Sequence, residues 1–244
     1  MASINVFKTE LQVAKEICSF VEMKANEALA RGTDFTVGFS GGSLQKYLCE
    51  HLPRISTDWS KWRIFFCDER LVSFEDNDST YKYYRDNLIG KAPIHTENIF
   101  PINPNLSVEE CAKDYTACLR KVFPGDDLPR FDLLLLGIGP DGHTCSLFPS
   151  HPLLEEKDVL IAPISDSPKP PPCRVTMTYP LINNARCCAF VSCGAGKAAI
   201  LKTILAEQHE PLLPAARVNP TDGKVFWFLD DAAASMLKNS ELFD

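Results

Sequence analysis

Short apolar runs alternate with longer amphipathic segments along nearly the whole chain, and this alternation limits the fold more than any other feature. Runs rich in β-branched or aromatic residues lie at INVF (4–7), FTVGF (35–39), WRIFFC (62–67), FDLLLLG (131–137), VLIAPI (159–164), CCAFVSC (187–193) and KVFWFL (224–229). Several are apolar without alternation, as a parallel strand covered on both faces requires. Helical patterns separate them. Thr9 with Gln12 forms a T-x-x-Q capping box that opens a helix to about Arg31, with Gly32 as its stop. Further helices are expected over 43–51, 79–90, 107–123, 196–207 and 231–239. The alternation predicts an α/β fold, a doubly wound, mostly parallel sheet with helices on both faces. Ligands bind such sheets at loops beyond the carboxyl ends of the strands.

The 244 residues suffice for a substantial core, and a single domain spanning 1–244 is expected. The Pro-rich stretch SPKPPPCR (167–174) reads as a surface loop, because the apolar β pattern resumes at once. A formal net charge of −7 argues against nucleic acid as partner, since phosphate backbones need a basic face. A small phosphorylated ligand needs only a few local cations and aimed N–H groups. No apolar run reaches the roughly 18–20 residues of a membrane span, and MASINVFKTELQVAKE has no signal-peptide pattern. The ten cysteines contain no C-x-x-C pair and sit in apolar stretches. They read as reduced, buried small hydrophobes of a cytosolic chain, with zinc poorly supported.

Three loops after strands carry unusual chemistry. Ser40-Gly41-Gly42-Ser43 joins FTVGF to a helix start, where close backbone approach, free N–H groups and partial positive charge suit a phosphate. A plain strand-to-helix turn usually needs only one glycine. The same residues, Gly38 to Gly42, spell the G-x-S-x-G nucleophile elbow; however, elbow serines follow several strands, and here about one precedes Ser40. Asp68-Glu69-Arg70 ends WRIFFC, where Arg70 could fork onto a phosphate or carboxyl oxygen; a solvated turn explains it equally. Gly137-Ile138-Gly139-Pro140-Asp141-Gly142-His143-Thr144 follows FDLLLL. It contains G-x-G-x-x-G, but Pro149 arrives too soon for the long helix of a dinucleotide site. What remains is a glycine-flanked histidine, His143, whose reference pKa of about 6.5 suits proton transfer near neutrality. The alternative is a structural loop histidine bonded to backbone. Two further cations fit an anion site: Arg174, which opens RVTMT, and Lys197 in Gly194-Ala195-Gly196-Lys197. That last segment is half of a Walker A motif, with Ala198 where Ser or Thr would follow.

In this order, FSGGS, FFCDER, GIGPDGHTCSLFP and CGAGK resemble the 6-phosphogluconolactonase family, and NDSTYKYYRDNL, PLLPAARV and WFLDDAA extend the likeness over essentially the whole chain. The resemblance implies a Rossmann-like fold shared with glucosamine-6-phosphate isomerases. It also implies cytosolic hydrolysis of 6-phosphoglucono-δ-lactone in the pentose phosphate pathway, without metal or organic cofactor. The isomerases are similar in the GIG-x-DGH loop but typically carry a glutamate where this chain has Phe148, and read DEY where it has Asp68-Glu69-Arg70. Both departures point to the lactonase branch; Cys145 stands where alanine is frequent. On this reading His143 is the general base. Asp141 either orients the imidazole or caps a short helix after it. Ser40, Gly41, Gly42, Ser43, Asp68, Arg70, Arg174 and Lys197 bind substrate and its phosphate, with the Gly41-Gly42 amides or Arg70 as oxyanion donors. The expected partner is a small phosphorylated sugar lactone, bound by a monomer with no membrane association. Rival readings are an isomerase, a serine esterase using Ser40, and a non-catalytic phosphosugar sensor.

Overall fold

A computed structural model describes residues 2–125, 127–207 and 210–237. Six strands form a parallel sheet: β1 (Ser3–Phe7), β2 (Phe35–Phe39), β3 (Trp62–Phe66), β5 (Leu133–Leu136), β8 (Cys187–Ser192) and β9 (Lys224–Asp230), in the order β1-β9-β8-β5-β2-β3. Three shorter strands, β4 (Asp68–Arg70), β6 (Ile161–Ile164) and β7 (Arg174–Met177), pair antiparallel in the order β4-β7-β6. The helices are α1 (Glu10–Ala30), α2 (Ser43–His51), α3 (Thr80–Asn87), α4 (Val108–Val122), α5 (Tyr179–Ile182) and α6 (Ala198–Leu205).

The unbroken LLLL run shows why the sheet is covered twice. Leu133 and Leu135 join one apolar cluster with Val13, Ile17 and Val21 of α1, while Leu134 and Leu136 join the other with Cys111, Tyr115 and Leu119 of α4. Side chains of a strand alternate between faces, so a run apolar at every position needs an apolar partner on each side. Burying each such aliphatic side chain stabilises by about 1.5–3 kcal/mol.

At the start of α1, Thr9 Oγ1 accepts from Gln12 N at 3.2 Å, while Gln12 Oε1 accepts from Lys8 N at 3.0 Å, so the box reaches one residue further back than expected. Gly32 ends the helix at φ +76°, a conformation that costs glycine nothing. No helix among the described residues is long and apolar enough to cross a membrane.

Three expectations need correction. VLIAPI does not join the parallel sheet; β6 is an edge strand of the small antiparallel one, and its Pro163, with no N–H to donate, is tolerated at such an edge. Asp68-Glu69-Arg70 is not a loop but β4 itself. The helix expected over 231–239 is a series of turns through 237, with 238–239 outside the described residues. Asp230 Oδ1 there accepts from Ala233 N at 2.8 Å, and Asp231 N is tied to Phe7 O of β1 at 2.8 Å.

The chain runs outward from β2 to β3 on one side and from β5 through β8 to β9 on the other. Strands β2 and β5 are therefore the switch point, and the crevice beyond their carboxyl ends is where this topology places a ligand.

Candidate active site

At that switch point a cleft of about 240 Å³ opens between the loops after β2, β5 and β8 and the ends of β4 and β7. It collects Ser40, Gly41, Gly42, Ser43, Asp68, Arg70, His143, Arg174 and Lys197 from five separate segments. Asp141 is not in its lining but touches His143 from behind.

The loop after β2 reaches α2 through Gly42, at φ +77° and ψ −152°, which only glycine adopts without strain. No side chain caps α2; Gln45 N donates to Gly42 O at 3.3 Å, which leaves the amides of Ser43 and Leu44 to meet an anion. Ser40 Oγ is buried without a hydrogen-bond partner, as is Ser192 Oγ at the end of β8; both residues line the cleft. A nucleophilic serine needs a base within hydrogen-bond reach, and Ser40 has none among the described residues.

In β4, Asp68 Oδ2 accepts from Ser146 Oγ at 2.7 Å. Glu69, fully buried, accepts from the backbone N–H groups of Arg70, Thr80 and Tyr81 at 2.7–2.8 Å. It thus fastens the start of α3 to β4, against which Gly41 packs through Thr80. Arg70 lies directly across from Arg174 of β7, and like charges facing each other destabilise a strand pair unless an anion lies between them. Burial, and then Arg70, lower the Arg174 pKa. Arg174 Nε donates to Pro171 O, and Nη2 to Lys169 O and Pro170 O, all at 3.0 Å. Lys197 Nζ donates to Ile138 O at 2.6 Å, joining the β8 and β5 loops.

The β5 loop folds back on itself through Gly139 N to His143 O at 2.9 Å and Gly142 N to Gly139 O at 3.0 Å. This turn sets His143 Nδ1 at 2.5 Å from Asp141 Oδ1. Asp141 therefore meets the imidazole directly, the contact that an orienting role requires. Burial opposes its charge, yet the bonds from His143 and Lys169 hold Asp141 at about 2. An ionised carboxylate only accepts, so Nδ1 carries the ring proton and Nε2 keeps its lone pair. Burial lowers the His143 pKa, with Lys169 acting in the same sense and Asp141 and Asp68 against it. Phe148 packs on the imidazole at 4.8 Å between centroids, and the Arg174 guanidinium lies 5.7 Å from the centroid of the Phe148 ring.

Sequence reasoning missed Lys169. It lies in the Pro-rich stretch read as surface, yet Nζ is 3.1 Å from both Asp141 Oδ1 and His143 Nδ1. A lysine five residues before Arg174 was the available signal, but its reach into the site depends on how the loop turns back. Ser192 was also missed, because a strand-ending serine carries no pattern of its own.

The cleft therefore presents cations and uncapped amides beside a neutral, carboxylate-oriented imidazole, an arrangement suited to holding an anionic ligand and moving a proton on it. The family model for glucosamine-6-phosphate isomerases/6-phosphogluconolactonase matches residues 8–227. The chain is 51% identical over 240 residues to 6-phosphogluconolactonase of Bos taurus and 50% identical over 240 residues to that of Homo sapiens, in each case covering 96% of this chain and 93% of the relative. The solved structure of 6-phosphogluconolactonase from Trypanosoma brucei superposes with a TM-score of 0.84 at 25% identity, covering 97% of this chain and 99% of that one.

Proposed function

Because the chain belongs to the glucosamine-6-phosphate isomerase/6-phosphogluconolactonase family, we propose that it hydrolyses 6-phospho-D-glucono-1,5-lactone to 6-phospho-D-gluconate with His143 as general base. The observation that carries this reading is the Asp141–His143 pair, whose imidazole lines a cation-rich cleft. Phe148, where the isomerases carry a glutamate, lies against the imidazole, so this branch lacks their second carboxylate.

The substrate phosphate is held by the amides of Ser40 to Ser43 with Arg174 and Lys197. A dianion offsets the Arg70–Arg174 repulsion, and its oxygens supply acceptors for the buried hydroxyls of Ser40 and Ser192. Water attacks the lactone C1 carbonyl while its proton passes to Nε2 of His143. The developing oxyanion is met by Arg70 or the Gly41-Gly42 amides. As the bond from C1 to the ring oxygen breaks, His143 returns the proton to that oxygen, and the product is the open-chain acid. The reaction is metal-independent. Asp68 and Asp141, the carboxylates nearest the imidazole, are engaged by Ser146, His143 and Lys169.

The test is hydrolysis of freshly generated lactone, corrected for spontaneous opening, beside glucosamine-6-phosphate and a fluorophosphonate probe for Ser40. Turnover of the lactone alone is expected. Release of ammonia from glucosamine-6-phosphate, or labelling at Ser40, would move the chain to another class. Two further results follow from the geometry. Lys197→Ala removes a charge-assisted contact worth about 1.5–3 kcal/mol, so KM rises roughly tenfold to hundredfold while kcat changes little; a fall confined to kcat contradicts the phosphate role. The pH profile has a defined sign. Only the neutral imidazole accepts a proton, so activity is lost as pH falls through the His143 pKa. Burial lowers that pKa from its ordinary 6.5, so the acidic limb of kcat/KM has its midpoint below pH 6.5. A midpoint above 6.5 contradicts the assignment.

A further inference from the structure

Lys169 is the one cation in contact with the Asp141–His143 pair itself among the described residues. Its Nζ completes a triangle in which the Asp141 Oδ1 to His143 Nδ1 edge is 2.5 Å and the two edges to Nζ are each 3.1 Å. The position is held independently of the side chain. Ser167 Oγ accepts from Lys169 N at 3.2 Å and donates to Lys169 O at 2.8 Å, and Arg174 Nη2 donates to the same carbonyl at 3.0 Å. The backbone beneath the lysine is therefore fixed by groups that a side-chain substitution leaves in place.

An Asp–His pair alone stabilises the protonated imidazole, because the carboxylate faces the ring charge directly. That is the wrong bias for a resting base, which must be neutral to accept a proton. A second cation on the same carboxylate oxygen corrects it. The ammonium supplies Asp141 with its counter-charge, so the carboxylate stays ionised and keeps accepting from Nδ1, while a positive charge beside the ring penalises a second one upon it. We propose that Lys169 is a positioning residue for the hydrolysis, holding Asp141 as the acceptor of the Nδ1 proton and keeping His143 neutral so that Nε2 presents its lone pair to water. The proposal rests on His143 being the base.

Other charged groups surround the ring. Asp68, from β4, favours the protonated ring; Lys197 of the β8 loop and Arg70 and Arg174 of the small sheet line the same cleft, where a positive charge works against it. Lys169 differs from these cations in touching the ring nitrogen and its acceptor together. The electrostatics run in the same sense: the bonds from His143 and Lys169 hold Asp141 at about 2, and burial lowers the His143 pKa, with Lys169 adding to it against Asp141.

The experiment is an NMR titration of the His143 imidazole, assigned by its loss in His143→Gln, in wild type, Lys169→Met and Lys169→Arg, beside the kcat/KM–pH profile of each lysine variant and wild type. Removing a charge at this distance in a half-exposed site raises the imidazole midpoint by about one pH unit. The acidic limb of Lys169→Met should rise with it, while Lys169→Arg keeps both near wild type. A residue that merely packs would change KM or stability and leave both midpoints in place. An imidazole midpoint unmoved in Lys169→Met overturns the proposal. A midpoint that moves while the acidic limb does not would uphold the control by Lys169 and overturn the assignment of His143 as the base.

Discussion

His143→Ala lowers kcat for the lactone by roughly a thousandfold, within the 10²–10⁴ range that a positioned general base contributes, and leaves KM within a few-fold. The two effects separate because the groups are separate. In the proposed binding mode the anion is held by the loop after β2, the start of α2, Arg174 and Lys197, none of which takes a hydrogen bond from the imidazole side chain among the described residues. The ring instead contacts Asp141, Lys169 and Phe148, and its loss leaves Asp141 still paired with Lys169 at 3.1 Å, so no buried carboxylate is stranded. A δ-lactone also opens without help, so the measurement must subtract that rate, and residual catalysis from binding alone persists. His143→Gln, which restores most of the side-chain volume without a base of suitable pKa, is expected to match the alanine variant. A kcat within tenfold of wild type in both variants would remove His143 from the chemistry.

How much of this was legible in the sequence depends on whether the signal was local. LLLL and FTVGF declared themselves as doubly covered strands because continuous apolarity has one inexpensive solution in an α/β chain. The SGGS and GIGPDGHT loops stood out because glycines cluster where backbone must turn sharply or approach a ligand, and both sit at the switch point. Asp68-Glu69-Arg70 was noticed for its charges but misread as a loop. Its strand character comes from pairing with Arg174–Met177, more than a hundred residues away, and Glu69 is tolerated in the core only because three backbone N–H groups converge on it. VLIAPI has the composition of a core strand, and only its Pro163 hinted at an edge. Lys169 was illegible for the same reason as β4: its meaning is a distance across 26 residues to His143, produced by a loop whose prolines suggest only that it is not helical. Arg174 shows the limit from the other side, since its expected service to the ligand is joined by three bonds that pin the loop bearing Lys169.

Gly139→Ala is expected to lower kcat by about a hundredfold through clearance alone. Gly139 is not at a positive φ, so the argument is one of space. A Cβ there would overlap Nδ1 and Cε1 of the His143 ring and lie 2.6 Å from Asp141 Oδ1. Neither group can yield cheaply, because the ring is fixed between Asp141 and Phe148 and the loop closes through Gly139 N to His143 O. Relief must come from turning the imidazole or opening the loop. Either change moves Nε2 by something near an ångström relative to C1, a displacement of the size that costs roughly 10²-fold in a positioned reaction. The proposed phosphate contacts lie on the other loops, so binding of 6-phosphogluconate, the product of the proposed reaction, should stay within a few-fold. An equal loss of product binding would mean that the cleft had collapsed rather than that the base had moved. A kcat within threefold of wild type would mean that the ring has room it does not show, and that its orientation is set by Asp141 and Lys169 without help from the glycine beneath it.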